Sequence, residues 1–277
     1  FHGFFPMEVT ATPAETARFM TGAPGGWRLT AEDRDYAVRM RRFIPKVWAD
    51  RGPRTTFEST ALKDEYFTFQ VAVVAGAAAL NDVKVAFARF PAAWQKSLTC
   101  FNCGGVDEHG KAFTKTVSVA AGEIQPLWIG VQVPATQAAG VVDGDVAVTA
   151  GGVTQTVTTR IRVDAASAVN HGFDEPELMS RLAWLNSTAG SDPNFVTKPF
   201  TPVTAAGKRV AVLGRAVELG PTGLPDRIQS YFSDDVTRIT TTASPVLARP
   251  MALRVVRGGV AEPMRAAPYT VTAAARG

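Results

Sequence analysis

The sequence predicts an all-β fold of two antiparallel β-sandwich domains, the first immunoglobulin-like, with one short N-terminal helix. Apolar and polar residues alternate over many short segments, turn residues separate these segments, and helical periodicity is scarce. The length of 277 residues allows one large domain or two of about 100–150 residues, and the 46 % apolar content excludes a disordered chain. We expect an irregular segment with the helix at 1–55, the first sandwich at 56–165, and a second, truncated sandwich at 170–277.

The predicted helix begins after Thr12. Thr12 and Glu15 have the spacing of a capping box, and Pro13 occupies the first helical position, so a helix of about two turns is expected to reach Met20. The Gly-, Pro- and Arg-rich stretch 22–54 predicts an irregular or edge segment.

The first sandwich is predicted from period-two patterns. Its apolar positions are Phe67, Phe69, Val71 and Val73; Val83, Val85 and Phe87; Phe113, Val117 and Val119; and Leu127, Ile129, Val131 and Val133. The clearest hairpin joins 145–150 to 153–163 through Gly151 and Gly152, because glycine accepts the positive φ of a two-residue turn. One face of each strand is expected to pack on a second sheet.

Residues 164–170 predict a linker of small residues, and the second half is again strand-like. Its predicted strands are Arg209–Leu213, Ala216–Leu219, Arg227–Phe232, Val236–Thr242 and Met251–Val256. The turn-rich stretch 220–225 separates two of them.

Charge and hydropathy exclude two classes of partner. The net charge is only +4, and the densest basic cluster, Arg39, Arg41 and Arg42, has no aromatic residues interleaved, so nucleic-acid binding is not expected. No apolar run reaches the roughly 18 residues of a membrane helix, so no membrane span is predicted.

The two cysteines, Cys100 and Cys103, form a single C-x-x-C motif. A structural zinc site needs four ligands, whereas His2, His109 and His171 lie far apart in the sequence. A thioredoxin-like site needs a βαβ context that is absent from the pattern. We expect buried or turn thiols at the end of a strand, with metal binding and redox chemistry as open alternatives. No cofactor and no metal site is predicted.

Several longer sequence motifs are more specific than a strand pattern alone would require. They are Gly3–Thr12, Cys100-Phe101-Asn102, Gly104–Asp107, Leu127–Val131, Ser180–Thr188, Pro199–Pro202, Leu213-Gly214-Arg215, Gly223-Leu224-Pro225 and Ser230-Tyr231-Phe232. In this order and spacing, the chain resembles the β-rich N-terminal region of large bacterial proteins related to glycoside hydrolase family 123. The resemblance covers most of residues 1–250.

The resemblance implies that β-sandwich domains precede a (β/α)8 barrel, and that the barrel of β-N-acetylgalactosaminidase-like members carries an Asp–Glu catalytic pair. It also implies a glycosidase as the parent protein and an extracytoplasmic location. This sequence has no alternating strand–helix pattern. The catalytic pair is therefore assigned to no residue of it, and we expect the sequence to lack the catalytic domain.

The candidate catalytic groups are five adjacent acidic pairs: Glu32-Asp33, Asp64-Glu65, Asp107-Glu108, Asp174-Glu175 and Asp234-Asp235. A glycosidase needs a carboxylic acid whose pKa is raised by apolar surroundings. All five pairs have turn-forming or charged neighbours, so we expect solvated turn residues and predict no catalytic residue.

The candidate substrate-binding residues are Arg181, Trp184 and Asn186. Arginine can bind sugar hydroxyls or carboxylates, tryptophan offers an apolar face to a pyranose ring, and asparagine supplies a donor and an acceptor. The alternative is that Trp184 packs between the sandwiches with Leu182 and Leu185, while Arg181 and Asn186 bind buried backbone groups.

The sequence thus predicts a non-catalytic β-sandwich portion of a bacterial glycosidase-like protein, which supports a downstream (β/α)8 barrel and contacts a glycan or polysaccharide. Two alternatives from other classes stay open. One is a stand-alone carbohydrate-binding or adhesion module, and the other is a structural spacer.

Overall fold

The computed structural model describes residues 5–188, 190–192, 194–262 and 266–272. Within these ranges the chain consists of strands in mostly antiparallel sheets with a few short helices, which confirms the predicted all-β fold class. Two compact units span Phe1–Thr188 (unit 1) and Ala189–Gly277 (unit 2). The finer division at 56–165 and 170–277 stays a prediction. His2, Gly3 and Phe4, named above, lie outside the described residues.

The α-helices of the described residues are α1 (Pro13–Met20), α2 (Lys46–Arg51) and α3 (Ala92–Gln95), and short 3-10 helices form at Pro6–Glu8, Pro24–Gly26 and Arg34–Tyr36. The strands in chain order are β1 (Trp27–Glu32), β2 (Thr56–Lys63), β3 (Tyr66–Ala75), β4 (Leu80–Ala88), β5 (Thr99–Cys100), β6 (Gly104–Val106), β7 (Ala112–Thr114), β8 (Val117–Val119), β9 (Ile124–Gln132), β10 (Gly140–Ala150), β11 (Val153–Ser167), β12 (Thr204–Ala206), β13 (Arg209–Val212), β14 (Arg215–Leu219), β15 (Pro225–Phe232), β16 (Ile239–Pro245), β17 (Val255–Arg257) and β18 (Val260–Glu262).

Helix α1 confirms the predicted capping box. The backbone N–H of Thr12 donates to Oε2 of Glu15 at 2.8 Å, and the N–H of Glu15 donates to Oγ1 of Thr12 at 3.3 Å. The prediction of a single helix was wrong, because α2 and α3 also form. Neither has a side-chain cap, but each buries a tryptophan completely, Trp48 and Trp94. Tertiary burial therefore stabilises these short helices where local signals are weak.

Unit 1 contains a β-sandwich. One sheet has the order β1-β3-β9-β5 and the other β2-β11-β10-β4-β8. The predicted inward residues of β3 and β9 are fully buried between the sheets, and Phe57 of β2 stacks on Phe69 of β3 with ring centroids 4.9 Å apart. The antiparallel prediction fails for one pair, because β2 runs parallel to β11. These strands are distant in sequence, so no hairpin dictates their relative direction.

The β10–β11 hairpin forms as predicted. Ala150 pairs with Val153, and the turn residues Gly151 and Gly152 have φ values of 56° and 75°. Strand β11 continues to Ser167, so the first part of the predicted linker belongs to the sheet.

The outer face of the β1-β3-β9-β5 sheet is covered by other segments of the chain. Met7, Phe19, Ile44 and Trp48 from the N-terminal region pack with Ala72, Val74 and Ile124 in a second apolar cluster. Farther along the same face, Thr30, Glu32, Thr68 and Gln70 are buried although they are polar. Strand β3 is therefore buried on both faces, and its polar outer side chains need partners in the covering layer.

Unit 2 contains a five-stranded antiparallel sheet of order β12-β13-β14-β15-β16 and a separate β17–β18 hairpin. Among the described residues of this unit, Ala216 is the only buried hydrophobic side chain. None of the helices in the described part of the chain has the length and apolarity needed to cross a bilayer.

Candidate functional site

The segment that follows β11 folds into three short 3-10 turns, Val169–Gly172, Pro176–Leu178 and Ser180–Asn186. Asn170 and His171 have φ values of 47° and 57°. Left-handed backbone is uncommon for a residue other than glycine and is found more often at functional positions. These two residues turn the chain back toward the sheet after β11.

Four side chains of this segment form one cluster, which we name the Trp184 patch: His171, Phe173, Arg181 and Trp184. The ring of Phe173 lies edge-on to Trp184 with centroids 5.6 Å apart, and His171 lies edge-on to Phe173 at 5.5 Å. The guanidinium carbon of Arg181 lies 5.4 Å from the Trp184 ring centroid. Nε of Arg181 also donates to the carbonyl oxygen of Phe173 at 2.6 Å.

Trp184 is 54 % exposed, whereas Trp27, Trp48 and Trp94 are completely buried. Leu185 beside it is 61 % exposed. A tryptophan that closes a core would be buried, so the exposure favours a binding surface over the packing alternative. Its neighbours nevertheless hold the indole, which reduces the entropy that a ligand would have to remove.

The structure brings Arg181 and Trp184 together but places Asn186 at the β6–β7 hairpin. A Cβ atom added to Gly105 of β6 would collide with Oδ1 of Asn186. The absence of a side chain at Gly105 leaves room for this close approach. The three predicted substrate-binding residues line one short 3-10 turn, and their role in binding stays a prediction.

The patch is anchored to the outer face of the first sheet through Leu178. Its carbonyl oxygen accepts from Nη1 of Arg34 and from Oγ1 of Thr68, both at 3.3 Å. The same Arg34 forms an ion pair with the buried carboxylate of Glu65. Since these partners lie on or beside β3, the turn that carries Trp184 is held by the sandwich.

His171 and Phe173 belong to the patch but were not predicted as binding residues from the sequence. Nδ1 of His171 lies 3.1 Å from the carbonyl oxygen and 3.2 Å from Oδ1 of Asp64, in the turn between β2 and β3. The local pattern His171-Gly172-Phe173 could have indicated a turn with adjacent aromatic rings. The contact between His171 and Asp64, however, joins residues that are 107 positions apart in the sequence. Only the folded chain shows this contact.

Two acidic residues expected in solvated turns are buried. Glu32 is 1 % exposed and accepts from Nε1 of Trp48 and from Arg51, both at 2.6 Å. Glu65 is fully buried and accepts from the N–H of Leu62 at 2.7 Å as well as from its arginine partner. The expectation was wrong for both because their partners lie elsewhere in the sequence. Both carboxylates therefore bind groups of the protein itself and stabilise the fold.

The Asp107-Glu108-His109 stretch forms the turn of the β6–β7 hairpin. Oδ1 of Asp107 accepts from the N–H groups of His109 at 2.9 Å and Lys111 at 2.8 Å, as expected for an aspartate in a turn. In the described ranges, no three His, Cys, Asp or Glu side chains are grouped so that they could hold a metal ion.

The chain is an all-β protein with an exposed aromatic patch beside a β-sandwich. Residues 203–277 match the family described as glycoside hydrolase 123, third domain. The chain is therefore related to glycoside hydrolase family 123, which confirms the resemblance seen in the sequence, and it comprises β-domains of a glycoside hydrolase-like protein.

Solved structures similar to this chain include a family 123 glycoside hydrolase from Clostridium perfringens, at 14 % identity and a TM-score of 0.36 over 52 % of this chain and 28 % of that enzyme. A PapD-like domain of human CEP192 matches 42 % of this chain and 84 % of its own at 14 % identity and a TM-score of 0.26. A type I cohesin from Pseudobacteroides cellulosolvens matches over 42 % of this chain and 93 % of the cohesin, at 11 % identity and a TM-score of 0.23. At these low TM-scores the structural similarities give no evidence about function. No curated protein sequence matches the chain.

Proposed function

We propose that this chain is the non-catalytic β-domain portion of a bacterial glycoside hydrolase-like protein, and that it binds glycan through the Trp184 patch. In the complete protein it supports a downstream (β/α)8 barrel that carries the catalytic groups. The parent protein acts outside the cytoplasm, where glycan substrates are found. The observation that carries the binding role is a half-exposed tryptophan held in place by Phe173 and Arg181.

The chemistry of the patch suits a sugar. The indole of Trp184 offers an apolar surface to the C–H groups of a pyranose ring. Arg181 uses Nε on the Phe173 carbonyl, and the terminal nitrogens of its guanidinium are the donors that would reach hydroxyl or carboxylate oxygens. Asn186 supplies an amide at the adjacent hairpin, where a longer glycan would be contacted.

The exposed apolar surface of unit 2 supports the second part of the proposal. Its exposed large hydrophobic side chains include Phe195, Phe200, Val212, Val236, Ile239, Val246, Met251, Leu253, Val255, Val256 and Val260. A sheet normally buries one face against another layer. Since residues 203–277 match a domain of a multidomain glycosidase family, we assign the barrel of the same polypeptide as that layer.

Glycan binding is tested with Trp184→Ala in affinity gels that contain an N-acetylgalactosamine-bearing glycan. We expect about tenfold weaker retention, because a central aromatic contact contributes more than about 1 kcal/mol. Phe43→Ala is the matched control, because Phe43 is an exposed aromatic residue of unit 1, at 57 %, outside the patch.

Equal retention of the wild-type chain and Trp184→Ala would contradict the binding role. Loss of folding in Trp184→Ala, seen by circular dichroism, would favour the core-packing alternative. A glucose-bearing gel run in parallel separates specific retention from general adhesion to polysaccharide.

The alternatives are a stand-alone carbohydrate-binding or adhesion module and a structural spacer. The reading frame downstream of Gly277 distinguishes them. Alternating strands and helices with an Asp–Glu pair at the end of a strand support the glycosidase assignment. A stop codon directly after Gly277 favours the stand-alone module, and retention by neither gel favours the spacer.

A further inference from the structure

The two cysteines lie at the edge of the first sheet. Cys100 ends β5, which pairs with β9, and its side chain faces the sandwich core with the residue 8 % exposed. Cys103 is half-buried in the turn that follows, and both thiols are free. The N–H of Cys103 donates to the carbonyl oxygen of Cys100 at 3.0 Å, so a tight turn joins the two residues.

This turn is held by strand β9. The N–H of Phe101 donates to the carbonyl oxygen of Trp128 at 3.0 Å, and the N–H of Trp128 donates to Oδ1 of Asn102 at 2.8 Å. Both residues between the cysteines are thus fixed to the same strand residue. These hydrogen bonds hold the two cysteines at the two ends of one tight turn.

The two thiols differ in their pKa values. A hydrogen bond with Cys103, together with burial, raises the pKa of Cys100, and the same hydrogen bond lowers the pKa of Cys103. The more accessible sulfur is therefore the one that ionises first. Because the thiolate is the nucleophile in disulfide exchange, Cys103 would attack an incoming disulfide first. Cys100 would then attack the mixed disulfide formed on Cys103.

We propose that Cys100 and Cys103 are a disulfide-forming pair that exchanges with small-molecule disulfides. The Cys103 thiolate attacks one sulfur of the small disulfide, whose S–S bond breaks and releases one thiolate. The Cys100 thiol then gives up its proton to that thiolate or to water, and its sulfur attacks Sγ of Cys103. This step breaks the mixed disulfide and releases the second small thiolate, which takes up a proton. Overall, two protein thiols are oxidised and one small disulfide is reduced to two thiols.

Only two residues separate the cysteines, so we expect their disulfide to form and to be reduced readily. A tight turn brings Cα atoms within the roughly 4.4–6.8 Å that disulfides span. The ring it closes is small, so the cross-link removes little entropy from the unfolded chain. It does tie β5 to the start of the β6–β7 hairpin, whose Gly105 contacts Asn186.

The test uses the whole chain equilibrated with mixtures of reduced and oxidised glutathione, alkylated and measured by intact mass spectrometry. We expect two alkylated thiols in reduced buffer. In oxidised buffer we expect none, with the mass lowered by two hydrogen atoms and no glutathione retained. Cys100→Ser should trap one glutathione on Cys103, and Cys103→Ser should react at least about tenfold more slowly because its remaining thiol is buried.

Two alkylated thiols in the oxidised buffer, or two glutathione adducts on the wild-type chain, would overturn the proposal. Faster reaction of Cys103→Ser than of Cys100→Ser would overturn the assigned order of attack. The wild-type measurement needs no substitution, so the proposal stays testable if either variant fails to fold. Amide hydrogen exchange of residues 104–114 gives a second readout, and we expect slower exchange in the oxidised form.

Discussion

The ion pair between Arg34 and Glu65 is the most buried in the part of the chain that the structure describes, with side-chain exposures of 10 % and 1 %. Arg34 also reaches Leu178, and its guanidinium lies 4.9 Å from the Phe67 ring centroid. One side chain therefore connects the sheet with the turn that carries the Trp184 patch. Removal of its partner would leave a buried charge without compensation.

We expect Glu65→Ala to lower the free energy of unfolding by about 3–5 kcal/mol, since it breaks a buried charge pair. Asp143→Ala is the matched control, because its pair with Arg160 is about half exposed on both sides and such pairs contribute less than about 1 kcal/mol. Urea denaturation measures both. Equal effects of the two substitutions would show that the Glu65 pair does not hold the covering layer.

At the scale of the element, helix α1 combines a local signal with a distant contact. The carboxylate of Glu15 completes the capping box and also accepts from Nζ of Lys46, the first residue of α2, at 2.9 Å. The Thr12 backbone N–H, the Lys46 ammonium and the Thr12 hydroxyl lower the pKa of Glu15 to about 2. The cap therefore joins two helices of the covering layer as well as starting one.

This lowered pKa predicts a pH dependence with a defined sign. The folded-state pKa lies below the ordinary value of 4.5, so the contribution of Glu15 is present above that pH and is lost as the pH falls toward about 2. Glu15→Gln should show a smaller loss of stability over this window than the wild-type chain, as measured by urea titrations at each pH. Glu108→Gln is the control, since Glu108 is an exposed residue of the β6–β7 turn. An unchanged acid profile for Glu15→Gln would contradict the assignment.

At the scale of the whole molecule, the two units bury their apolar residues to different degrees. Unit 1 has a core between its sheets and a second cluster beneath its N-terminal segment. In the described part of unit 2, large apolar residues such as Phe195 and Phe200 are 56 % and 64 % exposed. In the proposed docking of a barrel, these side chains would form part of the contact surface.

We expect Phe200→Ser to change the unfolding free energy of this chain by less than about 0.5 kcal/mol, because the residue is exposed. In a longer polypeptide that includes the proposed barrel, the same substitution should destabilise the protein by more than about 1 kcal/mol. Ile129→Ser, in the unit 1 core, should destabilise both proteins. Equal small effects of Phe200→Ser in both would argue against barrel docking on this surface.

The sequence alone determined the features that depend on near neighbours in the chain. The α1 cap, the Gly151-Gly152 hairpin, the inward faces of β3 and β9, and the strand-to-turn position of the cysteines all follow from short-range spacing. Backbone sterics, side-chain periodicity and turn chemistry act over a few residues, so the local structure that they determine can be predicted from the sequence.

Only the tertiary structure decided which polar groups are buried and which tryptophan is exposed. Glu32 and Glu65 resemble turn acids in sequence, but arginines from other segments pair with them. Trp184 lies among leucines as a core residue would, but it is half exposed, with Phe173 edge-on to its ring and Arg181 over the ring. Burial and pairing depend on contacts between distant segments, and the spacing of residues along the chain does not contain that information.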